Sequence, residues 1–311
     1  MKRSQLIMLL AAAVLLALVP LMGTNYLLRV GTTMLMYAVL AMAWNFIGGF
    51  TGYPSFGTAA FFGLGAYAGA VMQVKGMPAI PAWILAGLVA AIFAMVLGFA
   101  VLRLRGHAFA IATLVVAELL REIAVVWESV TGGGMGLNLP FSSLSPEASA
   151  RFYYYAMLGL ALITFAAMYA VAVSKLGFGL RCIKQNEDAA NMVGVNTTLF
   201  KTLAFTFSGM FAAAGGAIYG SWTAYLEPGD AFDIMFSIKA IVMVLLGGAG
   251  TILGPILGAV SFLVLDELVW RNFLELHTGI LGVLIVALVL FLPLGLSSVG
   301  WRGLAGKWGR P

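Results

Sequence analysis

Apolar residues run through the chain in long blocks, each closed by a short polar or glycine-rich interval. Ten such blocks fall at roughly 5–23, 28–48, 57–74, 81–102, 107–127, 152–173, 201–222, 236–249, 252–270 and 278–296. Most approach the length of about 20 residues that an α-helix needs to cross roughly 30 Å of hydrocarbon. The block at 236–249 is short for a span, and the block at 107–127 is interrupted by charges. The pattern predicts an all-α, polytopic transmembrane bundle of about ten apolar segments, some of them broken or re-entrant. No interval is long enough for a separate soluble domain, so residues 1–311 read as a single transmembrane domain. The first block follows Met1-Lys2-Arg3 as a signal peptide would. A signal core is usually about 7–15 residues, whereas this run extends from Gln5 to Met22, and Val19-Pro20-Leu21 is a poor cleavage site. It therefore reads as an uncleaved first span.

Composition agrees with lipid as the solvent. The chain is 62% hydrophobic and 9% charged, with a mean hydropathy of +1.03, against about 25% charged residues in soluble domains. A water-soluble fold of this length could not hide so much apolar surface. The 38 glycines suit close helix packing in lipid. A net charge of +5 could suggest nucleic acid, but the basic residues sit at the ends of apolar blocks and form no stripe. Membrane lipid is the implied partner, and nucleic acid is not one.

Lys and Arg set the orientation, because they accumulate in cytoplasmic loops. With the N-terminus inside, the inner side holds Lys2, Arg3, Arg103, Arg105, Lys175, Arg181, Lys184, Lys201, Arg302, Lys307 and Arg310. The outer side holds only Arg29, Lys75, Arg151 and Arg271. Eleven against four places both termini in the cytoplasm. Glu128, Glu147, Glu227, Asp230, Asp233 and Glu275 then fall outside, and only Glu187 and Asp188 remain in the inner loops.

Catalytic chemistry is not visible. There is no G-x-x-x-x-G-K-[ST] phosphate loop. His107 and His277 are far apart, and Cys182 is the single cysteine, so neither a metal-ligand spacing nor an internal disulfide is possible. No enzyme activity, metal or other cofactor is expected in this chain.

Four features stand out. The inner loop Ser174–Thr198 contains a stretch, Leu180–Val193, that can form a helix, followed by Gly194 where a helix C-terminal cap would sit. Such a helix outside the membrane could dock into a groove of a cytoplasmic partner. A Gly/Pro-broken segment, Gly48–Gly57, contains Gly52, Tyr53, Ser55, Phe56 and Gly57, and a second, Gly247–Gly258, contains Gly250 and Thr251. Irregular backbone at membrane depth needs protein or water to satisfy its polar groups, and paired breaks in a transporter point to its substrate path. The hydroxyls of Ser55 and Thr251 and the room left by Gly52, Gly57 and Gly250 would then line that path, gated by Tyr53 and Phe56. Finally, Glu118, Arg121 and Glu122 share one helical face. Intramembrane charges should face protein or water, so the trio is expected to form a structural ion pair between helices. Asp266 and Glu267, near the outer end of their block, read similarly.

The loop and its neighbours carry a resemblance. LGFGLRCIKQNEDAANMVGVNTTLFKTLAF resembles the coupling loop of the membrane subunits of branched-chain amino acid ABC importers, which carries an E-A-A…G pattern. Glu187, Ala189, Ala190 and Gly194 match it as E-x-A-A-x-x-x-G, with Asp188 between. GGFTGYPSFGTAAFFGLGAYAGA, LRLRGHAFAIATL, TGGGMGL and VLLGGAGTILGPILGA look like further family segments in register over about residues 30–295. The third and second of these lean toward the longer of the family's two permease subunits. Tyr53-Pro54 departs from the Gln-Leu-like pair common there. The resemblance implies an importer of leucine, isoleucine or valine in the bacterial inner membrane. It implies a second homologous permease, two cytoplasmic ATPase subunits that bind ATP and Mg, a periplasmic binding protein, and an ATPase-coupling loop within 174–200. Urea, amides or other amino acids are alternative cargoes. An ion-coupled secondary transporter is a different class, for which only Glu118 offers a midplane carboxylate.

Overall fold

The computed structural model describes residues 15–20, 24–140 and 145–272, with positions 282, 295 and 296. The blocks at 5–23 and 278–296, and both termini, lie wholly or mostly outside these residues. Between them the helices are α1 (Asn25–Trp44), α2 (Thr58–Val74), α3 (Ala79–Val101), α4 (His107–Val126), the single turn α5 (Glu128–Thr131), α6 (Pro146–Val173), α7 (Lys175–Gln185), α8 (Glu187–Met192), α9 (Thr197–Thr223), α10 (Pro228–Ala231), α11 (Met235–Gly247) and α12 (Gly254–Asn272). Each of the eight middle apolar blocks coincides with one long helix. The chain is an all-α membrane protein with several apolar helices. Among the described residues, four are long and apolar enough to cross a membrane: α1 with the π-turn that extends it to Gly49, α3, α6 and α9, at 25, 23, 28 and 27 residues. The helix α2 is apolar but shorter.

Helices α1 and α9 form the centre. Helix α9 crosses α2 with the backbones in contact: a β-carbon on Gly65 would lie 2.0 Å from the carbonyl oxygen of Ala213, and one on Gly216 would lie 2.0 Å from that of Phe62. Small residues allow this approach where no hydrophobic force drives helices together in lipid. Phe46 of the π-turn stacks on Phe207 and Phe211 of α9, and Phe61 meets Phe205 edge-on at 5.1 Å. At one end of α9, Ser221 Oγ accepts from Gln73 Nε2 at 2.8 Å and from Trp83 Nε1 at 2.7 Å, while Tyr153 donates to the Ser221 carbonyl at 2.8 Å. One serine thus ties α2, α3 and α6 to α9. Helices α3 and α4 are peripheral. Ile84, Ile92 and Val96 on α3 and Ile111, Val115 and Leu119 on α4 are exposed, an apolar surface that lipid or another membrane chain must cover.

One expectation is corrected. The loop 174–198 does not hold one helix over 180–193. It holds two, α7 and α8, divided at Asn186, which is extended at φ −162° and ψ 114°. The cause is local competition: the Asn186 side chain accepts from the Ala189 N–H at 3.0 Å, capping α8 and ending α7. Ser174 likewise caps α7. Beside the helices stands a small antiparallel pair, β1 (Leu137–Asn138) with β2 (Tyr225–Leu226). It closes the glycine-rich segment after α4 onto the end of α9.

Candidate coupling site

The two broken segments meet. Helix α1 ends in the π-turn Asn45–Gly49, a geometry that frequently marks functional positions. Asn45 is fully buried, and its side-chain amide straps the late break to the early one. Its Nδ2 donates to the Thr251 carbonyl at 3.0 Å, and its Oδ1 accepts from the Gly250 N–H at 2.9 Å. Gly250 has φ +84°, and a β-carbon there would lie 2.7 Å from the Gly49 carbonyl oxygen. That same oxygen accepts from Lys184 Nζ of α7 at 2.9 Å.

The chain's own groups satisfy the irregular backbone from Gly52 to Gly57. Trp44 Nε1 donates to the Ser55 carbonyl at 2.8 Å, and the Phe56 N–H donates to Thr113 Oγ1 at 2.9 Å. Ser237 Oγ donates to the Phe56 carbonyl at 2.7 Å and accepts from the Ala59 N–H. This is how a membrane protein tolerates a break. It also changes the part played by two hydroxyls expected to line a path. Ser55 is buried, and its Oγ accepts from the Gly57 N–H at 3.2 Å. Thr251 Oγ1 donates to the Gly248 carbonyl and accepts from the Gly254 N–H at 3.0 Å, starting α12. Gly57 is buried as well, whereas Gly52 and Thr251 keep exposed positions.

Beside the breaks lies a cluster that joins four chain segments. Lys201, in the first turns of α9, is 3% exposed. Its Nζ donates to Glu187 Oε1 at 2.6 Å, to Tyr53 Oη at 3.1 Å and to the Leu102 carbonyl at 3.0 Å, and it sits 4.6 Å from the centre of the Tyr53 ring. Tyr53 in turn donates a short hydrogen bond to Glu187 Oε2. All three ammonium protons and both carboxylate oxygens are used, which a buried ion pair requires. The Glu187 side chain is 13% exposed. Burial alone would raise its pKa, but the hydrogen bonds from Lys201 and Tyr53 and the charges of Lys201 and Arg105 hold it below its ordinary 4.5. The stability Glu187 contributes is therefore fully present at neutral pH and is lost only as pH falls through its depressed pKa. At the rim, Arg105 takes the carboxylate of Asp188 in a fork at 2.9 and 3.3 Å, which lowers the Asp188 pKa. This exposed pair adds geometry more than energy.

The four helical residues of the loop divide between two faces. Glu187 and Ala190 turn inward, and Ala190 is 2% exposed. Asp188 and Ala189 turn outward, with Met192 and Val193, 88% and 76% exposed, beyond them. Ala190 thus anchors α8 to its own chain, and Met192 with Val193 form the outward apolar knob. Gly194 ends α8 at φ +87° in a Schellman motif, with the Val195 N–H bonding the Ala190 carbonyl and the Gly194 N–H that of Asn191. Nothing lies within 4 Å of a β-carbon built there, so only backbone conformation restricts the residue. Gly194→Val should accordingly cost about 1–2 kcal/mol locally, while Gly194→Asn, which tolerates this conformation, should stay close to wild type. Hydrogen exchange of α8 amides in the two variants checks the ordering.

The trio does not link helices. Arg121 pairs with Glu118 and, at 3.1 Å, with Glu122, all on α4. Glu118 and Glu122 stand exposed and Arg121 half-buried, because α4 buries only the stripe Phe109, Thr113, Ala117 and Ala124.

The family described as branched-chain amino acid transport system, permease component, matches residues 26–290. The chain belongs to this permease family. It is a multi-pass membrane permease of the ABC importer class, a transport subunit rather than an enzyme. It is 28% identical to the high-affinity branched-chain amino acid transport system permease protein LivM of Salmonella typhimurium and to that of Escherichia coli, over 94% of this chain and 75% of each relative. It is also 29% identical to the autoinducer 2 import system permease protein LsrC of Salmonella paratyphi B, over 56% of this chain and 53% of that protein. No solved structure matches the chain.

Sequence reasoning about this permease missed four of the site's groups. Arg105, Lys184 and Lys201 entered it only as markers of orientation, and Asn45 not at all. Lys201 carried one usable signal: it lies inside an apolar helical run, LFKTLAF, where an unpaired ammonium would be costly.

Proposed function

We propose that this permease is one membrane subunit of an ATP-driven importer of leucine, isoleucine and valine in the bacterial inner membrane. It pairs with a second homologous permease, is driven by two cytoplasmic ATPase subunits and receives cargo from a periplasmic binding protein. The chain itself holds no cofactor; ATP and Mg bind on the ATPases. About ten spans, with both termini cytoplasmic, place α8 on the ATPase side, where Arg103, Arg105, Lys175 and Arg181 also gather.

The observation that carries this reading is the hydrogen-bonded continuity from α8 to the broken segments. An ATPase that seats on Met192 and Val193 moves α8 as a body, because Ala190 and the Gly194 cap fix it. Glu187 then draws on Tyr53 and Lys201, and α7 acts on Gly49 through Lys184. Asn45 carries the displacement to Gly250 and Thr251. Nucleotide-driven motion at the surface thereby reaches both breaks. Cargo passes their exposed positions, Gly52 and Thr251, between this chain and the second permease. The 28% identity to LivM over 94% of the chain supports branched-chain amino acids as the cargo. Orientation is tested by cysteine labelling in a Cys182→Ser background. Gly229→Cys should react with an impermeant thiol reagent from the periplasm, and Asn196→Cys only from the cytoplasm. Periplasmic labelling of Asn196→Cys would overturn the coupling role of α8.

A further inference from the structure

Helices α1, α9 and α12 part at the end of the bundle remote from the coupling cluster and line an open cavity of about 390 Å³. Small-molecule sites span about 300–1,000 Å³. Among the described residues, its wall carries Arg29 of α1 and the carboxylates Asp266 and Glu267 of α12. Met34, Leu263 and Trp222 supply an apolar remainder. Tyr26 donates one hydrogen bond to Glu267, and a carboxylate has about four acceptor positions, so capacity is left over. Arg29 enters no salt bridge with a described residue. A guanidinium on one helix and carboxylates on another, arranged around an apolar hollow, match a ligand bearing both charges and an apolar body.

We propose that this cavity recognises a free zwitterionic α-amino acid with an apolar side chain. Arg29 takes the carboxylate, Glu267 takes the ammonium, and Met34, Leu263 and Trp222 receive the side chain. The proposal rests on the importer reading above and names where its cargo is first held. Fifteen residues separate Met34 from Gly49 along α1 and its π-turn. At about 1.5 Å per residue the cavity lies roughly 20 Å from the coupling cluster, on the side a periplasmic binding protein would face. Cargo bound here would enter the path before the breaks admit it.

The test uses the complete transporter in lipid nanodiscs, with Thr33→Cys in a Cys182→Ser background, and Val30→Cys as a second reporter should the first fold poorly. The labelling rate of the cavity thiol is measured with leucine, leucinamide or 4-methylpentanoate. Leucine should slow labelling, whereas the two analogues, each lacking one charge, should not. Adding Arg29→Gln should raise the leucine concentration needed by about tenfold or more, the effect of losing one charge-assisted hydrogen bond. Protection by leucinamide equal to that by leucine, or no protection by leucine at either reporter, would overturn the proposal. ATP-driven leucine uptake by the same complex is measured in parallel. Uptake without protection rejects the cavity alone; protection without uptake keeps the cavity and rejects the importer reading.

Discussion

Lys201→Met should abolish coupled uptake and destabilise the chain by about 3 kcal/mol, the effect of removing one partner from a buried ion pair. Lys201 is almost fully buried and Glu187 nearly so. Without the ammonium, the Glu187 carboxylate keeps only Tyr53 and the distant edge of Arg105, at 3.8 Å, and the Leu102 carbonyl loses its donor. Glu187→Leu combined with Lys201→Met should recover most of the stability, since apolar groups often replace a buried pair at little cost. It should not recover uptake, because Tyr53 then has no carboxylate linking it to α8. Thermal denaturation of the assembled complex and leucine uptake, measured on the single and double variants, separate the two effects. A single variant with normal melting and normal uptake would show that the cluster holds nothing together.

Gly250→Leu should cut uptake by more than tenfold while the ATPase subunits still co-purify with the chain. Two costs combine at this position. An L-residue at φ +84° is disfavoured by about 1–2 kcal/mol, and the β-carbon would overlap the Gly49 carbonyl oxygen at 2.7 Å. Relief requires the late break to move away from the π-turn, which parts Asn45 from Gly250, and the new side chain also crowds Lys184 Nζ, 3.2 Å from the β-carbon. Gly57→Ala is the control within the same pair of segments. Its φ is −75°, and the nearest atoms to a new β-carbon lie at 3.3 and 3.5 Å, so uptake should fall little. Equal losses in the two variants would remove the contact between the breaks as the cause.

The helical blocks were legible because lipid imposes them. Every backbone polar group in hydrocarbon must be paired inside its own segment, so an apolar run of sufficient length has few alternatives to a helix. The Gly194 cap was legible for a similar reason, since few residues other than glycine readily take its conformation. The division of α7 from α8 was not. Asn186 competes with the helix through one hydrogen bond to Ala189, a short-range effect that apolar spacing does not register. Ala189 and Ala190 are adjacent in a motif, yet about 100° apart around a helix, so the motif could not tell which of them faces a partner. Ser55 and Thr251 looked available as path-lining hydroxyls because a sequence does not reveal that a broken backbone consumes its nearest hydroxyls first. Lys201 was hidden by the orientation rule itself: a lysine at the inner end of a span is expected there whether it faces water or a buried carboxylate.

The coupling role of α8 is tested most directly by measuring leucine uptake and ATP hydrolysis together in proteoliposomes holding the complete transporter, with either the native chain or Met192→Asp. With the native chain, uptake should require ATP on the α8 side and survive collapse of the ion gradients. With Met192→Asp, the chain should remain inserted, while uptake and its coupling to hydrolysis are lost. Uptake that continues without ATP and stops when the ion gradient collapses, or unchanged uptake by Met192→Asp, would contradict the account.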